Sequence, residues 1–221
     1  MLLKRHFISE RRFDKKYLNN CKNFHMRNFC KDCKEVDIGV QEVEIKNILA
    51  LSRNDLNATG RLDSAYRLIV NGWDKEKCSE INLLLTPSGK LRVYTDGNHR
   101  VYLAKTKLKF EKVWATINVK IPCKLLNEKD YKILEQIGNE RNYILDEARR
   151  LYKKMESYPS FSDKYSHYYD ESCKWYNFYD ERLLREKNYM RDIVKREKLI
   201  PNDWTVELEK ETTDEIDVIK I

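Results

Sequence analysis

Asp96-Gly97-Asn98-His99-Arg100 is where the residue types and spacing of this 221-residue chain come nearest to chemistry. It lies between the strand-like Leu91-Arg92-Val93-Tyr94-Thr95 and the helix-like Val101-Tyr102-Leu103-Ala104-Lys105. A strand that ends in a glycine turn and opens a helix leaves several backbone N–H groups pointing one way, here beside a His and an Arg. Cations at the positive end of a helix oppose its macrodipole, and a bound anion reverses that penalty. The turn therefore reads as a phosphate site. Local physics leaves a second reading open, in which Asn98 is the helix N-cap and His99 and Arg100 are surface residues of its first turn.

Two further groups of residues could do chemistry. Cys21-x3-His25-x4-Cys30-x2-Cys33 places four soft donors within thirteen residues, and Cys30-x2-Cys33 has zinc-knuckle spacing. Cys21, His25, Cys30 and Cys33 are thus either Zn²⁺ ligands or ordinary reduced thiols. Cys78, Cys123 and Cys173 stand alone and read as small packed residues. Tyr165, Tyr168, Tyr169, Trp175, Tyr176, Phe178 and Tyr179 crowd together with Lys and Arg between them. Interleaved rings and cations can stack bases, but aromatics at helical spacing more often form the face that packs on a core. Packing is the expectation here, with the C-terminal helices serving as a lid, a homodimer surface or a partner site.

Composition bounds these readings. With 41% hydrophobic and 36% charged residues the surface must be very polar, and no run approaches the roughly 18 apolar residues of a membrane helix. Met1-Leu2-Leu3-Lys4-Arg5-His6 lacks the apolar core of a signal segment, so the expectation is a cytoplasmic protein with no membrane partner. The formal charge of +7 is unevenly spread. Residues 1–34 hold ten Lys/Arg against three acids, whereas residues 205–221 hold six acids against two lysines. A basic segment of this kind is either an electrostatic footprint for DNA or a solvated charge run.

The elements that must position the turn follow from periodicity. Val36 to Val43 alternates as a strand, and Ile45, Ile48 and Leu49 continue as a short helical turn. A helix begins near Thr59-Gly60-Arg61 with Leu62, Ala65, Tyr66, Ile69 and Val70 on one face, and Asn71-Gly72 closes it. Ile81–Leu85 and Leu91–Tyr94 flank Thr86-Pro87-Ser88-Gly89-Lys90 as a hairpin, and Val113–Val119 returns as a strand after the helix that follows Arg100. Beyond Pro122 the pattern turns helical: Asn127 caps a helix whose apolar faces are Tyr131, Leu134, Ile137, Ile144, Leu145, Ala148, Leu151 and Met155, Ser157-Tyr158-Pro159-Ser160 breaks it, and a second helix runs from about Asp163 to about Lys198. Trp204–Leu208 reads as a short strand before an acidic tail. The expected class is α+β: a basic Cys/His-containing arm over 1–35, a mixed-sheet domain over 36–122 and a helical region over 123–221.

This order of elements resembles the ParB/sulfiredoxin superfamily. The matching residues are Glu44-Ile45-x-x-Ile48, Arg61-Leu62-Asp63-Ser64-Ala65-Tyr66, Asn71-Gly72-Trp73-Asp74, Asp96-Gly97-Asn98-His99-Arg100-Val101-Tyr102-Leu103-Ala104 and Lys112-Val113-x-Ala115-x-Ile117-x-Val119, spanning about residues 36–121. The resemblance implies a nucleotide whose phosphates lie on the glycine turn, a nucleoside triphosphate such as ATP or CTP with Mg²⁺. Gly97 would let the backbone approach, His99 and Arg100 would contact oxygens, Asn98 would cap the helix or touch the ligand, and Arg61 would be a second clamp. Glu42, Glu44 and Asp96 are the acids expected near the pocket, for Mg²⁺ or general-base work. Catalysis would fall to His99, Arg100, Asp96 and Glu44.

The departures narrow the chemistry. Sulfiredoxins carry a reactive Cys where this chain has Asn98, which argues against sulfinic-acid repair. Partitioning proteins carry Glu-Arg-Arg after the glycine, which disfavours a partitioning CTPase. The expected function is an NTP hydrolase or phosphotransferase, with a DNA-binding regulator or nuclease of a mobile genetic element as the alternative.

Overall fold

The structure is a computed structural model that describes residues 6–17, 33–52, 56, 63, 66–67, 81–206 and 208. The chain divides into two compact units, the first comprising Met1–Leu125 with Arg191–Glu207, the second Leu126–Met190 with Leu208–Ile221. The class is mixed α+β, with the longer helices toward the C-terminus.

In the first unit the strands β1 (Cys33–Glu44), β2 (Ile48–Ala50), β3 (Asn82–Leu85), β4 (Leu91–Val93) and β5 (Lys112–Pro122) form one sheet in the order β1-β5-β3-β4-β2. β1 is antiparallel to β5, β5 parallel to β3, β3 antiparallel to β4 and β4 parallel to β2. The four strands expected between Val36 and Val119, and the hairpin among them, are therefore present. Period-2 alternation accounts for β5: Val113, Ala115, Ile117, Val119 and Ile121 are buried, while Trp114, Thr116 and Asn118 between them are half-exposed. The hairpin closes through Thr86 and Lys90, with Gly89 at a positive φ of 72° that glycine adopts without steric cost. In β1, Gly39 at φ 85° sits where the register with β5 shifts between Asp37 and Val40, and Asp37 Oδ1 accepts its N–H at 2.7 Å.

Two local expectations give way to tertiary pairing. Ile45–Asn47 is a 3₁₀ turn, but Ile48–Ala50 leaves helical geometry and becomes β2, because β4 offers it a parallel ladder. Trp204–Val206 is irregular, so no strand forms there. The carbonyl of Thr205 instead accepts the Gln41 side chain at 2.6 Å. Of the helix expected from Thr59 to Asn71, Asp63, Tyr66 and Arg67 are helical and the remainder lies outside the described residues.

Part of the basic N-terminal segment lies on the sheet. Ile8 donates to Leu49 O at 2.9 Å and bridges Ala50, and the helix α1 (Glu10–Tyr17) contacts β2 and buries Phe13 completely. The same helix also meets Arg92 of β4, a residue 1% exposed. Its Nη1 lies 2.9 Å from Glu10 Oε1 and its Nε 3.0 Å from Asp14 Oδ1. Glu10 and Asp14 stand four residues apart, on one face of α1, so a single guanidinium meets both. Lys120, also buried, pairs with Glu35, and the Tyr94 hydroxyl donates to the same carboxylate at 3.3 Å. Burial and the neighbouring Glu35 charge push the Tyr94 phenol up to about 12.

The second unit is built on α3 (Glu128–Glu156) and the greater part of α4 (Asp163–Arg196). Asn127 and Asp130 form a reciprocal capping box at the start of α3, as the sequence leads one to expect. Leu134, Ile137, Ile144, Ala148, Leu151 and Met155 are buried along it. Arg141 pairs with Glu186 and Arg182 Nε with Glu140 Oε2 at 3.0 Å, which ties the two helices together. Tyr131, at the start of α3, is exposed rather than in the apolar stripe.

Candidate functional site

The Asp96–Arg100 turn is held by the sheet on one side and by its own helix on the other. Asn82, the first residue of β3, takes the Tyr94 N–H on its carbonyl at 2.8 Å and donates its own N–H to Asp96 O at 3.1 Å. The chain then reverses at Gly97, whose φ of 100° is left-handed. The helix α2 (Asn98–Thr106) starts at the next residue, and Val101 N–H closes its first bond on Gly97 O at 2.9 Å. Gly97 is thus the N-cap, a residue type that brings no side-chain acceptor to the helix start.

This corrects the expectation that Asn98 is the helix cap. It is the first helical residue rather than the cap, it is 6% exposed, and its side chain belongs to Ser52. Asn98 Oδ1 accepts the Ser52 N–H at 2.8 Å, and its Nδ2 donates to Ser52 Oγ at 2.9 Å. The amide therefore ties the chain after β2 to the start of α2, a structural duty distinct from capping. Ser52 was not among the residues the sequence pointed to. Nothing in its local pattern marks it, since its partner lies 46 residues away.

His99 and Arg100 are both half-buried. His99 Nε2 lies 3.2 Å from Leu56 O. A carbonyl oxygen only accepts, so Nε2 carries the proton in this arrangement and Nδ1 is the ring atom left for another partner. Burial alone depresses the Arg100 pKa, which records a guanidinium partly withdrawn from water. Asp96 is exposed beside them. The structure thus brings Asp96, Gly97, His99 and Arg100 into one turn.

Other candidate residues are placed elsewhere. Glu44 ends β1 opposite Lys112, and the N–H of the next residue, Ile45, donates to Glu111 O at 2.9 Å, so Glu44 stands by the entry to β5. That is past the C-terminal end of α2, whereas the glycine turn is at its N-terminal end. Its carboxyl is held below its usual range by Lys46, 2.9 Å away, with help from the Asn47 amide. An exposed, ion-paired carboxylate of this kind makes a weak base. Glu42 is likewise exposed and paired with Lys112 at 2.7 Å. Arg61, Cys21, His25 and Cys30 lie outside the described residues, and of Cys33 only the backbone position at the start of β1, opposite Pro122, is described. No group of three His, Cys, Asp or Glu residues suited to a metal ion occurs among the described residues.

No protein-family model, no curated protein and no solved structure matches this chain. No described helix is long and apolar enough to cross a membrane.

Proposed function

We propose that residues 36–122 form a ParB/sulfiredoxin-like domain and that its Asp96–Arg100 turn takes the phosphates of a nucleoside triphosphate, ATP or CTP, for hydrolysis or phosphoryl transfer. The observation that carries this reading is the helix start itself. A left-handed glycine opens α2 without a side-chain cap, and a partly desolvated Arg100 stands in the first turn. An anion there is favoured by the helix N-terminus and offsets the cost of withdrawing Arg100 from water. Gly97 admits an oxygen close to the backbone, Arg100 neutralises charge, and His99 Nδ1 positions a phosphate or moves a proton. Mg²⁺ would come in on the phosphates, with Asp96 as the carboxylate at hand, and would neutralise charge on the transferred group.

Isothermal titration with ATP, CTP, GTP and UTP in the presence of Mg²⁺ tests this. The expected result is saturable binding of one triphosphate, weakened at least about tenfold in Arg100→Ala, as for loss of a charge-assisted contact. Absence of binding by all four, or an Arg100→Ala variant that binds as the parent does, rejects the proposal.

One observation favours the second reading, a DNA-binding regulator or nuclease. Because Glu10 and Asp14 turn toward Arg92, the exposed residues of α1 include Arg11, Arg12, Lys15 and Lys16. Salt-sensitive binding of duplex DNA that is lost in Arg11→Glu/Lys15→Glu would support this reading, and metal-dependent plasmid nicking lost in His99→Ala would specify a nuclease.

A further inference from the structure

The bend between α3 and α4 gathers rings and cations that the proposed nucleotide site does not use. Tyr158 and Tyr168 stack with centroids 5.7 Å apart and planes 16° from parallel. Lys154 Nζ lies 4.6 Å from the Tyr168 centroid, and Lys164 Nζ lies 5.4 Å from that of Tyr158. Phe161 projects from the bend at 91% exposure, and Tyr152 and Tyr169 expose more than two fifths of their surface. The aromatic run of α4 is therefore only partly the packing face its spacing suggests.

Charge is sorted along the same hairpin. Residues 149–169 hold five Lys/Arg and two acids, whereas 128–148 hold three Lys/Arg and six acids, and 170–186 three and five. The bend is positive between two negative shafts. Arg149 and Arg150 are shared with Asp146 and Glu147, but Lys153, Lys154 and Lys164 have no carboxylate partner among the described residues.

We infer that the α3–α4 bend binds single-stranded nucleic acid, its lysines meeting phosphates and the rings of Phe161, Tyr152 and Tyr169 stacking on bases. Ammonium groups held over tyrosine faces are mobile enough to move to a phosphate and leave a face for a base. An anionic membrane shares the charge preference but needs more apolar surface than one Phe flanked by Ser160 and Ser162 provides. Duplex DNA offers phosphates but few open base faces. The inference stands on the second unit alone and is independent of the nucleotide proposal.

The test uses the full chain and a fluorescein-labelled oligo(dT) of about 30 nucleotides, read by anisotropy. Binding is expected at low salt. Phe161→Ala should weaken it about tenfold and Phe161→Trp should restore it, as stacking requires. Lys154→Glu/Lys164→Glu should weaken it further, with circular dichroism unchanged because these side chains are exposed. The inference is overturned if the parent does not bind, if the bend variants bind as tightly as the parent while Arg11→Glu/Lys15→Glu does not, or if phosphatidylserine vesicles are bound through Phe161 and the oligonucleotide is not.

Discussion

Asn98 shows how a residue that looks like a helix cap can take another structural duty. Its type and place after Asp-Gly suggest a cap or a ligand contact, yet its amide is buried and committed to Ser52. Asn98→Ala leaves the Ser52 N–H without that acceptor, so it should lower stability by about 1–3 kcal/mol in urea titrations while Arg100 chemistry is unaltered in kind. Arg92 is the reverse case, a strand residue that meets two carboxylates of α1. Desolvation raises the carboxyls of both Glu10 and Asp14, outweighing the pull of Arg92. The folded state therefore holds these protons more tightly than the unfolded chain. Their contribution to stability is greatest below the usual carboxylate range and falls as pH rises through the raised native values. Comparing urea midpoints of the parent and Asp14→Asn from about pH 4 to pH 7 should show the parent losing ground to the variant as pH rises. A constant difference would refute that direction.

At the scale of elements, what could be read in the sequence was what is local. The Asn127 cap, the Thr86–Lys90 turn and the glycine turn at Gly97 each close within a few residues, so residue type and spacing specify them. α3 extends over 29 residues and passes through Gly138, where an added Cβ would meet nothing within 4 Å. Gly138→Ala should accordingly stabilise the protein by about 0.5–1 kcal/mol, seen as a raised thermal midpoint. A lowered midpoint would mean that α3 needs the flexibility. Ile45, Ile48 and Leu49 satisfy a helical spacing, yet Ile48–Ala50 is the strand β2. Only the edge of β4, more than 40 residues later, makes the extended form of Ile48–Ala50 the better one.

Across the whole molecule the charge of +7 has two described basic surfaces, the exposed residues of α1 and the α3–α4 bend. If three lysines at the bend neutralise phosphates of a single strand, the logarithm of affinity should fall against the logarithm of salt with a slope of about −2. Lys154→Glu/Lys164→Glu should flatten that slope to less than half, and an unchanged slope would place the contact elsewhere. The sequence by itself determined the class of the fold, the hairpin, the Asn127 cap, the glycine turn with its His and Arg, and the uneven charge, because all of these depend on neighbours a few residues apart. Tertiary structure alone decided that residues 6–17 lie on the sheet, that Arg92 is buried between two carboxylates, that Asn98 serves Ser52, and that Glu44 stands beyond the far end of α2 from the turn. Each of these joins residues distant in the chain, where a side chain's role is set by which partner the fold delivers once water is excluded.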